Sequence, residues 1–361
     1  MKNGRACINA IGCAVPEQDV HHAFIDWAKR QLHDGRARDL FMRMADRSGI
    51  EHRWSVLPPA PGGGSPVDAG GFYAGAMPPT SSRMALYHRL APALSLRAID
   101  SLRAKAPIEG ISHLVVASCT GFVAPGVDQI IARALGVAEV ERTLIGFMGC
   151  YAAVAALRTA RHIVRSEPKA RVLVVTVELS SLHLQAEQQL ERLLMMLQFG
   201  DGAAAALVTA EGEGFDIDAP FALNLPESAE LIRWEIGDTG FLMHLGGEVP
   251  GRIQAALKDS LTRRRICGTA DPSAIDNWAV HAGGRSILDA VQQGLELNRE
   301  ALAPSRSIFA RYGNMSSATL MFVLADMLEQ NGTGTGIALA FGPGLAAEGF
   351  RFARARQVPH E

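Results

Sequence analysis

Cys150 follows Phe147-Met148-Gly149 and opens the alanine-rich stretch YAAVAALRTARHIV. A cysteine at that junction sits at the positive end of a helix dipole, beside backbone N–H groups that lack partners. Such a place lowers a thiol pKa and exposes the sulfur at a strand-to-helix turn. Position alone leaves an equal alternative, a small buried hydrophobe. His281 ends the run Trp278-Ala279-Val280 and precedes Gly283-Gly284. A neutral imidazole there can accept a proton or hydrogen-bond to a substrate oxygen, although a lone histidine is more often structural. His183 and His244 are weaker candidates on the same logic. Asn314, in Tyr312-Gly313-Asn314-Met315-Ser316-Ser317, reads first as a cap or turn residue. Its amide can also join an imidazole in an oxyanion hole. The three together are more specific than any one. A Cys/His/Asn set suits acyl transfer: sulfur carries the acyl group while two donors hold charge on the thioester oxygen.

These residues need elements that present them on one edge. Residues 112–118, 142–147, 171–179 and 202–210 are apolar runs of strand length, and helical patterns follow from about 126 and at 151–165. The second half repeats the pattern, with strand, turn and helix start at 277–284, a turn and helix at 311–328, and two strands in 334–354 joined by Gly342-Pro343-Gly344. Strands alternating with helices predict an α/β fold with a sheet covered on both faces. Cys150, His281 and Asn314 then lie at strand carboxyl ends or on the next turn, the edge where open α/β sheets take ligands. Earlier, 5–11 reads as a strand, 19–33 and 36–48 as helices, 55–80 as a Pro- and Gly-rich surface loop, and 81–105 as a helix that Pro92 can bend. The polar break at 211–216 divides the chain into halves 1–214 and 215–361, which read as one duplicated unit.

Composition narrows the classes. Hydrophobic residues make up 48% of the 361 and charged residues 20%, which excludes a disordered chain. With 35 basic against 37 acidic residues the net charge is −2, so no global field calls for nucleic acid. Cys7, Cys13, Cys119, Cys150 and Cys267 form no CxxC pair, which argues against zinc and thioredoxin-type chemistry. Their odd, sparse number suggests a reducing compartment, and a cytoplasmic location is expected. The N-terminal apolar stretch, cut by Gly12, Pro16 and Glu17, is too broken for a signal peptide, and no apolar run is long enough for a membrane span. No Walker loop, HExxH or EF-hand is present, and the glycines at 62–64 and 283–284 lack the context of a dinucleotide site, so no cofactor or metal is expected.

The segments GCYAAVAALRTA (149–160), FGDGAAAALV (199–208), WAVHAGGRSILDAV (278–291), YGNMSSAT (312–319) and FGPGL (341–345) resemble the type III polyketide synthases. That group includes chalcone and stilbene synthases and bacterial alkylpyrone and alkylresorcinol synthases. Shorter matches at 41–53, 118–128 and 243–251 keep the family's order along nearly the whole chain. The resemblance implies a thiolase fold, a duplicated αβαβα five-layered unit, acting as a homodimer. It implies that Cys150 carries the starter acyl group and the growing chain, and that His281 and Asn314 stabilise the enolate from malonyl-CoA decarboxylation. It further implies that His281 holds the Cys150 thiolate as an ion pair. CoA thioesters would be substrates, with no cofactor. The product would be a pyrone, resorcinol or phloroglucinol-type ring.

The same resemblance carries further positions. Phe199 matches the aromatic residue at the junction of CoA tunnel and cavity, and Met243 replaces a second, phenylalanine gatekeeper. Arg43 and Arg47, one helical turn apart, match positions that contact CoA phosphates; an ordinary solvated basic face is the alternative. Cys119, Glu178 and Ser316 fall on a hydrogen-bonded network that influences cyclisation, with a thiol as a poor substitute for a hydroxyl. Trp234 stands where plant members have a glycine on the cavity floor, and His183 and Leu184 also differ from the plant pattern. Met243 and SSLHLQ point toward a long or flexible acyl starter. The rivals are a ketoacyl synthase III-like enzyme making one condensation on a carrier protein, and a thiolase-fold protein that binds acyl-CoA without catalysis. FGDGAAAALV and FGPGL fit the polyketide synthases better than the first, and retention of Cys150, His281 and Asn314 argues against the second. A hydroxymethylglutaryl-CoA synthase would need an early catalytic glutamate that finds no match.

Overall fold

The computed structural model describes residues 4–330 and 334–354. Its strands are β1 (Cys7–Ala14), β2 (Gln18–Asp19), β3 (Trp54–Ser55), β4 (His113–Ser118), β5 (Glu141–Gly146), β6 (Val172–Leu179), β7 (Asp201–Thr209), β8 (Phe215–Asn224), β9 (Ile232–Gly237), β10 (Gly240–Leu245), β11 (Asn277–Val280), β12 (Thr335–Gly342) and β13 (Ala346–Arg354). Nine of them form one sheet in the order β11-β12-β13-β8-β1-β7-β6-β4-β5. The pairing scheme occurs twice. β4 runs parallel to β6, β6 antiparallel to β7, and β7 antiparallel to β1. Likewise β11 runs parallel to β12, β12 antiparallel to β13, and β13 antiparallel to β8. A short antiparallel contact of Cys7 and Ile8 with Asp216 and Phe215 joins the copies. The 214/215 division lies in the turn that precedes β8.

Alternation along each strand sorts its side chains into layers. On β6, Val172 and Val174 join a cluster with Ala156 and Leu157 of the helix Ala152–Ser166 and Leu320 and Leu324 of the helix Ser317–Glu329. Leu173, Val175 and Val177 pack instead with the helix Thr80–Arg103. On β12, Ala338 and Ala340 face the same two central helices, whereas Ile337, Leu339 and Phe341 pack with the helices Val249–Lys258 and Arg285–Gly294. The layers therefore run helix, sheet, helix, sheet, helix. Small side chains on the inner sheet faces leave room for a helical layer between them. The helix Ser317–Glu329 is correspondingly apolar around most of its circumference, with ten of its 13 residues buried.

The early helices are His21–Gln31 and Gly35–Asp46, the second capped by Asp34, whose carboxylate accepts from the N–H groups of Arg36 and Ala37 at 3.2 and 3.1 Å. The helix Thr80–Arg103 continues through Pro92. The expected surface loop at 55–80 is partly a wall: Tyr73 is buried and its hydroxyl donates to the Ser181 carbonyl at 2.7 Å. The β9–β10 hairpin and the helices between 249 and 267 had no clear sequence signal. No described helix is long and apolar enough to cross a membrane. Among the described residues no cluster of three His, Cys, Asp or Glu could hold a metal ion, and the five cysteines are free.

Candidate active site

β5 ends at Gly146, and the chain turns sharply through Phe147 (φ 56°) and Gly149 (φ 74°) into the 3₁₀ turn that carries Cys150. Gly149 is required there twice over: its φ lies in the left-handed region, and a Cβ would run into the Pro343 ring. The FGPGL segment thus lies against the cysteine turn. Asn314 sits on the turn between the helices Ala303–Tyr312 and Ser317–Glu329. Its N–H donates to the Gln198 carbonyl at 2.7 Å and its carbonyl accepts from the Gly200 N–H at 3.0 Å, which brings Phe199 alongside. His281 follows β11, where its N–H donates to the Leu339 carbonyl at 2.8 Å and extends the parallel register.

Cys150, His281 and Asn314 line one cavity, with Cys119, Phe199, Trp234, Met243 and Ser316 around them. The two central helices begin beside it, so their N-terminal dipole ends converge on the sulfur. Ser316 Oγ lies 3.7 Å from Cys150 Sγ and donates to it. The Asn314 Oδ1 accepts from the Ser316 N–H at 2.8 Å, which fixes the amide orientation; Nδ2 donates to the Gly283 carbonyl at 3.2 Å, and its second hydrogen serves the Cys150 sulfur. Burial pushes the Cys150 thiol up to about 12, against hydrogen bonds from Ser316 and Asn314 that lower it. Burial also pushes His281 down to about 3. Both its ring nitrogens are buried and without a hydrogen-bond partner. The expected Cys150–His281 ion pair is therefore not made in this structure. Burial disfavours either charge alone, and only a thiolate and an imidazolium formed together would offset each other's field.

The network expected for Cys119, Glu178 and Ser316 is different. Even-numbered residues of β6 face the central helices, so Glu178 is buried beneath them and does not line either main cavity. Its carboxyl accepts from Ser317 Oγ at 2.5 Å, Thr120 Oγ1 at 2.9 Å and the Cys119 N–H at 2.9 Å. Ser316 serves Cys150 instead, because its φ of 48° turns it away from its neighbour Ser317. The Cys119 sulfur is a cavity wall and accepts from the Gly149 N–H at 2.9 Å.

A second, largely apolar cavity lies behind this one. Ser180, Phe199, Trp234 and Met243 line both, and so form the partition. Leu184 and His183, expected in the substrate cavity, line this second cavity and not the one that holds Cys150. His183 is fully used: Nε2 donates to the Thr120 carbonyl at 2.8 Å, Nδ1 accepts from the Phe241 N–H at 3.0 Å, and the ring stacks on Phe241 at 4.3 Å. Burial pushes it down to about 4, so it is neutral. Trp234 Nε1 donates to the Cys119 carbonyl at 3.0 Å, which pins the ring across the partition. His244 is exposed and lines neither cavity. Arg43 and Arg47 are exposed on the outer helix and line neither cavity. Sequence reasoning missed Arg233, the one cation among the described residues that line the Cys150 cavity, which pairs with Glu230 at 3.2 Å and Glu235 at 3.5 Å. It also missed the second cavity, whose walls come from well-separated segments that read as ordinary core.

Five layers, with a cysteine and an asparagine where the two central helices begin, define a thiolase-fold enzyme of acyl transfer. Comparison with known proteins narrows this. Residues 1–212 match the N-terminal domain of chalcone and stilbene synthases, and residues 218–355 match their C-terminal domain. The chain belongs to that family, the type III polyketide synthases, and is a transferase that uses acyl-CoA substrates and decarboxylative condensation. It is 34% identical over 286 residues to the alpha-pyrone synthesis polyketide synthase-like Pks18 of Mycobacterium tuberculosis and Mycobacterium bovis, covering 75% of this chain and 72% of the relative. Among solved structures, PKS-I of the brown alga Ectocarpus siliculosus superposes with a TM-score of 0.88 at 27% identity, over 98% of this chain and 100% of that one. The type III domain of Steely1, a type I/III hybrid from Dictyostelium, shares the fold with a TM-score of 0.85 at 23% identity, over 98% and 100%. Family membership sets aside the ketoacyl synthase III-like alternative and the non-catalytic one.

Proposed function

We propose that Cys150 attacks an acyl-CoA starter, His281 and Asn314 promote malonyl-CoA decarboxylation, and the extended chain closes to an α-pyrone. The observation that carries this reading is the convergence of Cys150, His281 and Asn314 on one cavity. In the loading step the sulfur–acyl bond forms, the CoA sulfur–acyl bond breaks, and the cysteine proton leaves on CoA by way of His281. Malonyl-CoA then loses CO₂, and the electron pair becomes an enolate whose oxygen accepts from a neutral His281 ring N–H and from Asn314 Nδ2. A buried imidazole kept neutral suits this role as a donor. The enolate carbon attacks the Cys150 thioester, the chain moves to CoA, and reloading allows another round. Attack of an enol oxygen on the terminal thioester releases CoA and closes the pyrone. The alpha-pyrone synthesis for which Pks18 is named supports that ring over a resorcinol or phloroglucinol.

The apolar second cavity, with Phe24, Val67, Leu184, Met195, Met196 and Leu242 in its walls, supports a long acyl starter that passes the Phe199–Met243–Trp234 partition. Arg43 and Arg47 would take CoA phosphates. No cofactor is required by these steps. A homodimer is supported by β5, an edge strand of the large sheet that exposes most of its residues, with Leu144 at 47% and nearby Phe122 at 44% exposure. The halves 1–214 and 215–361 would contribute the nucleophile and the two donors respectively.

The test is intact-protein mass spectrometry after incubation with dodecanoyl-CoA, followed by malonyl-CoA and product analysis. The expected result is a dodecanoyl adduct that Cys150→Ala abolishes, and a pyrone whose mass shows the number of extensions. An adduct that persists in Cys150→Ala overturns the assignment of the nucleophile, and an open-chain or resorcinol product overturns the pyrone.

A further inference from the structure

A buried polar atom without a partner marks a place where a ligand can supply one. Among the described residues such side-chain atoms occur on Gln18, Arg53, Arg83, Thr176, Trp278 and His281. Of these, only His281 and Arg53 line a main cavity. The His281 ring belongs to the Cys150 site, where a substrate oxygen would meet it. Arg53 lines the second, apolar cavity, and none of the steps above uses it.

Arg53 immediately precedes β3 and is 3% exposed. Three of its five N–H hydrogens are spent: Nε donates to His21 Nδ1 at 3.0 Å, and Nη1 donates to the Phe199 carbonyl at 2.8 Å and the Met196 carbonyl at 3.3 Å. The two on Nη2 remain. The bond to Phe199 sets the guanidinium directly behind the partition, and its Cζ lies 4.6 Å from the centroid of the Phe24 ring, another wall of this cavity. Among the described residues no carboxylate lies within ion-pair distance of it. Asp19 and Asp201 support its charge from farther away, but their oxygens are taken: Asp19 by His52 and the N–H groups of His21 and Arg53, Asp201 by Ser181 and the Val56 N–H. Burial pulls Arg53 down to about 9, which leaves it charged at neutral pH, and pushes its partner His21 down to about 4, which leaves that ring neutral. Elsewhere in the wall Glu187 and Arg192 pair at 3.3 Å, so the lining keeps one positive charge that no carboxylate of the wall meets.

We propose that Arg53 selects a starter with an anionic far end, an ω-carboxyacyl-CoA, by holding its carboxylate on Nη2 in the second cavity. The proposal rests on Cys150 as the acyl acceptor and names the class of starter delivered to it. The thioester would lie at Cys150, the methylenes would pass the partition between apolar walls such as Leu57 and Met196, and the carboxylate would stop at Arg53. A plain alkyl tail would seal the cation against hydrocarbon and replace none of its lost hydration, and a neutral oxygen would take an N–H but leave the charge. The carboxylate takes no part in the covalent steps, so the product would be a pyrone with a carboxyalkyl tail. Arg83 is the contrast: its Nη2 is also buried without a partner, but it lines neither cavity, so no substrate reaches it.

The test measures loading of Cys150 and turnover with malonyl-CoA for adipoyl-, suberoyl-, sebacoyl- and dodecanedioyl-CoA. Each is run beside its ω-methyl ester and the ω-hydroxyacyl- and plain acyl-CoA of equal length. At one of these lengths KM for the acid should lie about tenfold below that of its three neutral counterparts, and Arg53→Gln should bring that ratio to about one. A crystal structure of Cys150→Ala with the best acid bound should show its carboxylate on Arg53 Nη2, a readout that does not depend on the folding of the Arg53 variant. A ratio of about one at every length in the wild type overturns the proposal. So does a preference that survives Arg53→Gln, an ω-hydroxyacyl-CoA taken as well as the acid, or a carboxylate bound elsewhere. Loading of plain acyl-CoA without preference for the acid overturns this inference alone, whereas no Cys150 adduct from any donor overturns the proposed function with it.

Discussion

Glu178→Gln should make the protein more stable at alkaline pH relative to the wild type. Burial raises the Glu178 carboxyl from 4.5 to about 7, even though Ser317, Thr120 and the Cys119 N–H all donate to it and pull the other way. The folded state therefore holds this proton more tightly than the unfolded chain does. That contribution to stability is full below pH 4.5 and is lost as the pH rises to about 7. At 1.36 kcal/mol per pH unit of separation, the wild type loses about 2.5 kcal/mol from this group between pH 5 and pH 8.5. Glutamine keeps the shape and cannot ionise. Its oxygen can accept from Thr120 and the Cys119 N–H, and its amide can donate to Ser317 Oγ, which accepts as readily as it donates.

The readout is a double difference. Urea denaturation of both proteins at pH 5 and pH 8.5 removes any pH-independent cost of the substitution, and groups that titrate equally in both proteins cancel. The variant-minus-wild-type gap should move in the variant's favour by about 2.5 kcal/mol on going to pH 8.5. At roughly 2.1 cal/mol/K of unfolding entropy per residue over 361 residues, the matching change in relative Tm is about 3 °C. A gap that is the same at both pH values, or that closes with rising pH, refutes the reasoning. It would mean that the three donors outweigh burial and that Glu178 is ionised throughout.

Three further outcomes are expected. Ser316→Ala removes the Oγ donor 3.7 Å from Cys150 Sγ, and losing about 1 kcal/mol of thiolate stabilisation should slow acylation about fivefold in a quenched-flow mass measurement; an unchanged rate sinks that role. Trp234→Ala opens the partition and frees the Cys119 carbonyl, so thermal stability should fall by about 2 kcal/mol while kcat/KM for tetradecanoyl-CoA rises relative to hexanoyl-CoA. If that ratio does not rise, Trp234 is no partition. Gly149→Ala places a Cβ against the Pro343 ring at φ 74°, and should cost at least about 2 kcal/mol in thermal melts together with loss of the acyl adduct; a wild-type melting curve would show that the turn relaxes freely.

What could be read in advance follows from the range of each interaction. Cys150, His281 and Asn314 lie at ends of strands or starts of helices, and local pattern locates those ends. The sheet's alternation then decides which face each neighbour takes, and that is where reading along the chain loses precision. Ser316 and Ser317 are adjacent and alike in sequence, yet one serves the Cys150 sulfur and the other the buried carboxyl of Glu178. A single positive φ at Ser316 separates those fates, and no feature of a Gly-Asn-Met-Ser-Ser turn announces it. Likewise Glu178 follows Val172 and Val174 on the inner face of β6, so a shift of one residue would have turned it toward the helix Thr80–Arg103. The apolar cavity was hidden for the opposite reason. Its walls come from stretches near 20–24, 65–73, 180–199 and 234–243, each of which would look the same if it were simply packed. A void leaves no mark on local pattern, because core and cavity walls are both apolar. Trp234 and His183 could be seen to differ from plant members, but their effect appears only in three dimensions. The tryptophan closes the partition by bonding the Cys119 carbonyl, while the histidine is locked behind it between the Thr120 carbonyl and the Phe241 N–H. Because both rings are held by the backbone, the position of the partition depends on the β4 and β10 strand ends as much as on the two side chains. Substitutions that loosen those ends should therefore alter starter preference without touching either ring.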